Sequence, residues 1–260
     1  MIGFLRNEDR EMLKKKEHLK YILPTVALST LAGAAVGAVI VLFKLCAGYA
    51  VHACESIYEA ARENPLFIIA ILAAAAVAAL GYTLLYRKIP NARGGGIPTS
   101  VGILRGIISF RWLGTLFSVF FASLVTFLFG VPLGTEGPSV QIGTALGRGV
   151  SRTCAKKHRA LDRYIMTGGA SAGFTVATGS PVAGLVFALE EAHQRISPLI
   201  FLSASAAVVA AKTVSDLLSP IFGVSPMLFE QIAIESLAAK DYYIPVAIAA
   251  AVGLLSVLFL

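Results

Sequence analysis

Charge is scarce in this sequence. Lys, Arg, Asp and Glu make up 14% of the 260 residues, whereas 57% are hydrophobic. A soluble domain would carry about 25% charged residues. A water-surrounded fold is therefore excluded, and the mean hydropathy of +0.77 points to lipid. Cysteine is just as sparse: Cys46, Cys54 and Cys154 form no CxxC pair and argue for neither a disulfide nor a metal site. The four histidines are scattered, with no HExxH or zinc spacing, so no resident metal or cofactor is expected. Ser139 follows Glu136 by three residues, but no histidine lies near it in sequence, and an enzyme is not expected either.

What is present is a series of separate apolar stretches, too many for one leader or one buried core helix. The pattern is that of an all-α, polytopic membrane protein. The net charge of +7 could suggest a nucleic-acid partner, but most Lys and Arg residues sit between the apolar stretches. Orientation in the bilayer explains that placement, and no nucleic acid is expected.

Residues 1–21 are read as a cytoplasmic or interfacial helix, with acids ahead of lysines in NEDREMLKKKEHLK as the helix dipole favours. The lysine cluster places the N-terminus inside, as in a plasma (inner) membrane protein. Residues 22–220 are read as a first transmembrane repeat. Its opening helix, 22–51, is rich in small residues that allow close packing in lipid, and an acidic connector with Glu55, Glu59 and Glu63 follows. Residues 66–86 return to the basic group Arg87, Lys88 and Arg93, and 112–130 form another span. Only about seventeen residues then separate that span from the basic cluster Arg148–Arg163, barely one crossing. Residues 164–178 and 180–192 are expected as half-length helices, and 199–218 as a span. Residues 221–260 are expected to hold a loop and the first helix of a further, incomplete repeat.

Three glycine- or proline-rich breaks each fall just before a helix start within apolar sequence: GGGIP (Gly94, Gly95, Gly96, Ile97, Pro98), GTEGP (Gly134, Thr135, Glu136, Gly137, Pro138) and TGSPVAG (178–184). Non-helical backbone at membrane depth is tolerated only where it is buried in protein or lines a cavity. Each break leaves the first N–H groups of a helix unpaired at the positive end of its dipole, which makes an anion site without a full positive charge. Partial charges suit a permeating ion, because a buried Lys or Arg would hold it too tightly. Glu136 carries the negative charge that such a helix start attracts. Its carboxylate can occupy the anion site and, once protonated, swing away, so it is a candidate for both gate and proton carrier. Glu190 and Glu191 form a second acidic pair. Neighbouring residues leave a helix on different sides, so at most one faces the protein interior.

Together these residues resemble the CLC family of chloride channels and chloride/proton antiporters. GGGIP resembles its first filter motif, usually GSGIP, and GTEGPSVQIG its second, GREGP or GKEGP with a similar tail. SPVAGLVFALEE is similar to the stretch ending in the family's internal proton-transfer glutamate. The resemblance implies a homodimer with one pore per subunit, each built from two inverted halves. It implies that Glu136 is the external gating glutamate and Glu191 the internal proton glutamate. Chloride or a similar small anion and protons are the implied cargo. Where the family's first motif has an anion-contacting serine stands Gly95, and Thr135 stands where a basic residue is usual. The third filter motif and a matching tyrosine are not found, so the chain corresponds to the first half and about one helix of the second. Proton-coupled antiport is the expected function; the alternatives are a passive voltage- or pH-gated channel and a non-conducting membrane scaffold.

Overall fold

Helix is the one regular structure that the apolar, membrane-length stretches can adopt while satisfying their own backbone in lipid. The computed structural model describes residues 7–64, 66–131, 134–154, 159–194 and 196–225, with 243, 246, 248, 250–253 and 255. All regular structure among the described residues is helical. The chain divides into two units, Met1–Leu228 and Phe229–Leu260, and the second is helical at every described position. Of the region 221–260 expected as a loop and a helix, residues 226–242 lie outside the described residues.

The first unit contains α1 (Asn7–Glu63), α2 (Leu66–Lys88), α3 (Ile97–Leu104), α4 (Trp112–Leu128), α5 (Glu136–Cys154), α6 (Asp162–Thr178), α7 (Pro181–Val186) and α8 (Pro198–Phe222). A π-helical turn, Phe187–His193, continues α7. Among the described residues, three helices have membrane-spanning length and composition: Tyr21–Glu63 within α1, α2 and α8. The helix α4 is apolar but shorter.

Two boundaries differ from the sequence expectation. Instead of a separate helix over 1–21 and an acidic connector after 51, one helix runs from Asn7 to Glu63. Pro24 removes a backbone donor without ending it, and in the same turn Thr25 Oγ1 donates to Tyr21 O at 2.6 Å. Glu55, Glu59 and Glu63 therefore sit on the last turns of α1. At the other end, α8 passes through Pro220 and closes at Gly223, whose φ of 64° is the left-handed stop typical of a helix end.

Small residues set the helix spacing. The helices α5 and α6 run antiparallel, backbone against backbone. A Cβ on Gly143 would meet Gly169 O at 2.2 Å, and one on Gly173 would meet Ser139 O at 2.2 Å. Along α1 and α8 the register is parallel: a Cβ on Gly33 would lie 2.1 Å from Ala207 O, and one on Gly37 2.7 Å from Ala211 O. Lipid tails are as apolar as leucine, so such close approach and polar contacts hold membrane helices together. One polar contact joins three helices: Ser29 and Ser203 hydroxyls are 2.8 Å apart, and Ser203 donates to Tyr164 O at 2.6 Å. The helix α6 occupies the centre, buried from Ile165 to Ala177 except at the partly buried Phe174. By contrast α2 has no buried residue among those described, and its Leu66, Phe67, Ile69 and Leu72 are exposed as a lipid-facing surface would be.

Candidate functional site

The first two breaks meet. The chain leaves α2 through a 3-10 turn at Pro90–Ala92 and reaches α3 by way of Gly94, Gly95 and Gly96. Gly96, at φ 75°, is the residue before the first turn of α3, with Pro98 inside that turn. A Cβ on Gly96 would lie 2.2 Å from Gly137 O, and one on Gly137 would lie 2.4 Å from Gly95 O. No side chain fits between the two strands of backbone, and the positive φ independently requires glycine. GGGIP and GTEGP are thus packed against each other through their main chains.

The hydrogen bonds fix where the helices begin. Ile97 N–H donates to Gly95 O at 2.8 Å, Ser100 N–H to Gly96 O at 2.9 Å, and Ser139 N–H to Thr135 O at 3.1 Å. The Ser100 hydroxyl also donates to Gly96 O at 2.8 Å. The N–H groups ahead of these rungs are the ones a helix start leaves without an intrahelical partner. Around them lies a cavity of about 480 Å³ lined by Gly94, Gly95, Gly96 and Ile97 on one side and by Gly134, Glu136, Gly137 and Pro138 on the other. Tyr86, Ser123 and Thr126, each a hydroxyl-bearing residue, also line it. Two helix starts and a carboxylate therefore share one cavity.

Glu136 is half-buried at the head of α5. Among the described residues no Lys, Arg or His forms an ion pair with it. The positive potential it meets comes from the helix start itself. Of the nine residues expected in the filter, Pro98 and Thr135 are not in this cavity's lining; Thr135 lines a neighbouring one.

Gln141 is a site residue that the motif reading passed over. It is 2% exposed, lines the cavity, and donates through Nε2 to Asn91 O. Asn91 in turn donates through Nδ2 to Ser109 O at 2.8 Å. This chain of bonds ties α5 to the turn that delivers the three glycines. The available signal was a glutamine in an otherwise apolar and glycine-rich helix, where a buried amide must find partners.

The third break is built differently. Gly179, at φ 76°, ends α6, and Ser180 Oγ accepts from Ala183 N–H at 3.3 Å to cap α7. None of residues 178–184 lines the cavity. A cap satisfied by its own serine has less to offer a ligand.

Glu190 and Glu191 both lie exposed on the π-helical turn. Neither side chain turns inward in this chain by itself. The backbone of that turn is held by Arg105, at the end of α3, which donates through Nη2 to Glu191 O at 3.0 Å and through Nε to Ala192 O at 3.2 Å. Next to it, Thr167 Oγ1 donates to Arg163 O at 2.8 Å, so its oxygen accepts from His193 Nε2–H at 2.7 Å. Arg195, the other basic neighbour, lies outside the described residues.

Broken helices whose starts converge on a carboxylate-bearing cavity define a class: helical membrane proteins with discontinuous spans. Residues 75–260 match the family described as voltage gated chloride channel, and the chain belongs to that family. Curated relatives agree. Over 127 residues it is 37% identical to the H(+)/Cl(-) exchange transporter ClcA of Vibrio cholerae, covering 49% of this chain and 27% of that protein. Over 171 residues it is 34% identical to the protein of the same description from Cronobacter sakazakii, covering 65% of this chain and 37% of that one. Among solved structures, a slow cyanobacterial Cl-/H+ antiporter matches with a TM-score of 0.69 at 21% identity, covering 85% of this chain and 52% of that one. A CLC-type fluoride/proton antiporter matches with a TM-score of 0.66 at 19% identity, covering 89% and 55%. These structural likenesses establish the CLC fold. The matches span about a quarter to a third of the curated relatives' length, and about half that of the solved chains.

Proposed function

We propose that this chain carries the anion site of a proton-coupled antiporter for chloride or a similar small monovalent anion. The observation that carries the proposal is the meeting of two unpaired helix starts and Glu136 in one cavity. Such a site offers an anion N–H groups and dipole ends but no full charge, so binding is favourable and release remains fast. Glu136 competes for the same positive potential. Its carboxylate closes the site; protonated, it leaves, and the proton it carries is exchanged for the anion. Glu191 is the proton carrier on the other side of the membrane, reached from the cytoplasm, where the N-terminus of α1 also lies. Two copies assemble as a homodimer, each with its own pore. Coupling to protons is preferred over passive conduction because an acid is retained at Glu191, for which a channel has no use.

The test is proton and anion flux in liposomes holding the full-length native protein, with and without Glu136→Gln. The substitution resembles the protonated gate, so anion flux should persist while proton movement falls to background. Full proton coupling in the variant would overturn the gate role. Anion flux without any proton movement in the unmodified protein would make it a channel.

A further inference from the structure

Lys44 is the only Lys, Arg, Asp or Glu between Lys20 and Glu55, so it stands alone in the apolar length of α1. A cation in a membrane span is costly unless something compensates it. Lys44 is half-buried, and among the described residues its ammonium has neither a hydrogen bond nor an ion pair. The charge facing it from α8 is Lys212, which repels it and is itself paired with Asp216 at 2.5 Å. A lysine without a counter-charge, held where lipid or protein surrounds most of it, is a site waiting for an anion.

The surroundings fit that occupant. Lys44 lines a cavity of about 490 Å³ together with Thr135, Phe127, Gly130, Cys54 and Glu55. Thr135 is the residue immediately before Glu136, and its hydroxyl has no hydrogen-bond partner among the described residues. Phe127 lines this cavity and also the one containing Glu136, so the two volumes adjoin across its ring. One turn beyond Lys44, a Cβ on Gly48 would meet nothing within 4 Å, which leaves the approach open. Glu55 shares the cavity but does not reach Lys44 within ion-pair distance, and it tempers the positive potential without cancelling it.

We propose that Lys44 and Thr135 form a second anion subsite, a staging position for a small monovalent anion one step from the cavity that Glu136 occupies. This rests on the anion-transport reading above. Lys44 supplies the net charge and Thr135 a directional donor. Because the lysine is only half-buried and Glu55 opposes it, the anion is concentrated there and passed on. The division of labour is physical: a full charge recruits the ion at the mouth, and dipoles alone hold it at the gate.

The chloride dependence of flux tests this in the full-length native protein reconstituted in liposomes, compared with Lys44→Met and Lys44→Arg. At low ionic strength Lys44→Met should raise the apparent KM for chloride about tenfold while leaving the maximal rate near that of the unmodified protein. The deficit should shrink as impermeant salt is added, because screening at 0.15 M acts over about 8 Å. Lys44→Arg, which keeps the charge, should stay within about twofold of the unmodified protein. An unchanged KM in Lys44→Met would overturn the proposal, as would an equal loss in Lys44→Arg. A second measurement needs no variant. In crystals of the unmodified protein soaked in bromide, anomalous density should lie against Lys44 Nζ. Density in the Glu136 cavity but none at Lys44 would remove this subsite and leave the anion-transport reading standing. Density at neither cavity, with no flux, would remove both.

Discussion

Glu136 lies within a glycine-rich break and Glu191 about two turns beyond another, and the structure treats the two acids in opposite ways. Glu136 heads a helix, inside a cavity, where two stretches of main chain touch and no side chain could be inserted. Glu191 lies on the closing turn of a π-helical segment, exposed, and it is its carbonyl rather than its carboxylate that is held, by Arg105. At the first position the backbone does the recognising and the side chain is the mobile part. At the second, side chains hold the backbone and the carboxylate is left free to meet solvent. The general lesson concerns helix polarity: a helix start attracts a carboxylate into the protein, whereas a helix end offers it carbonyl oxygens and turns it out.

The largest effect should come from breaking the main-chain contact at the first position. Gly96→Ala places a Cβ where Gly137 O now lies, 2.2 Å away, at a φ of 75° that alone costs about 1–2 kcal/mol. The variant should lose thermal stability in detergent and all Glu136-dependent flux. Flux and melting like those of the unmodified protein would show that the two motifs do not depend on close contact.

A smaller effect is expected at the other end. Arg105→Ala removes both guanidinium donors to the turn bearing Glu191, a loss of about 1 kcal/mol. Proton coupling should weaken while the KM for chloride stays put, and Arg105→Lys, with a compact charge in place of the fork, should restore it only in part. A matching shift in chloride KM would mean that the two acidic positions behave as one unit.

The smallest effect sharpens the comparison within a single loop. Gly95, unlike Gly96, has no positive φ, and a Cβ there would come no closer than 3.7 Å to Pro98 Cδ. Gly95→Ser should therefore fold normally and add one hydroxyl donor to the cavity. Chloride preference over nitrate should rise by about 1 kcal/mol, read from the ratio of transport rates. An unchanged ratio would show that position 95 does not touch the ion.

Much of this was legible in the sequence because the signals are local. Glycine and proline at 94–98, 134–138 and 178–184 marked helix starts, and α3, α5 and α7 begin within those runs. Apolar runs marked the long helices, and the ends differ where continuation outweighed a break, as at the acidic stretch after 51 and at Pro220. A lone charge in an apolar run marks Lys44, but its cavity left no local signal, since its parts come from the middle of α1, the end of α4 and the loop before α5.

By itself, then, the sequence determined that the chain is helical and lies in a membrane, where its helices break, and which acids sit at those breaks. Composition, periodicity and backbone-specific residues act over a few residues and need no partner to be read. Only the tertiary structure decided that the first two breaks touch while the third caps itself, that Gln141 ties the filter loop to α5, and that Lys44 and Thr135 line one cavity. Those outcomes depend on which helices approach closely enough for backbone to meet backbone, a matter of glycine against glycine across α5 and α6 and glycine against alanine across α1 and α8 that no single stretch of sequence contains.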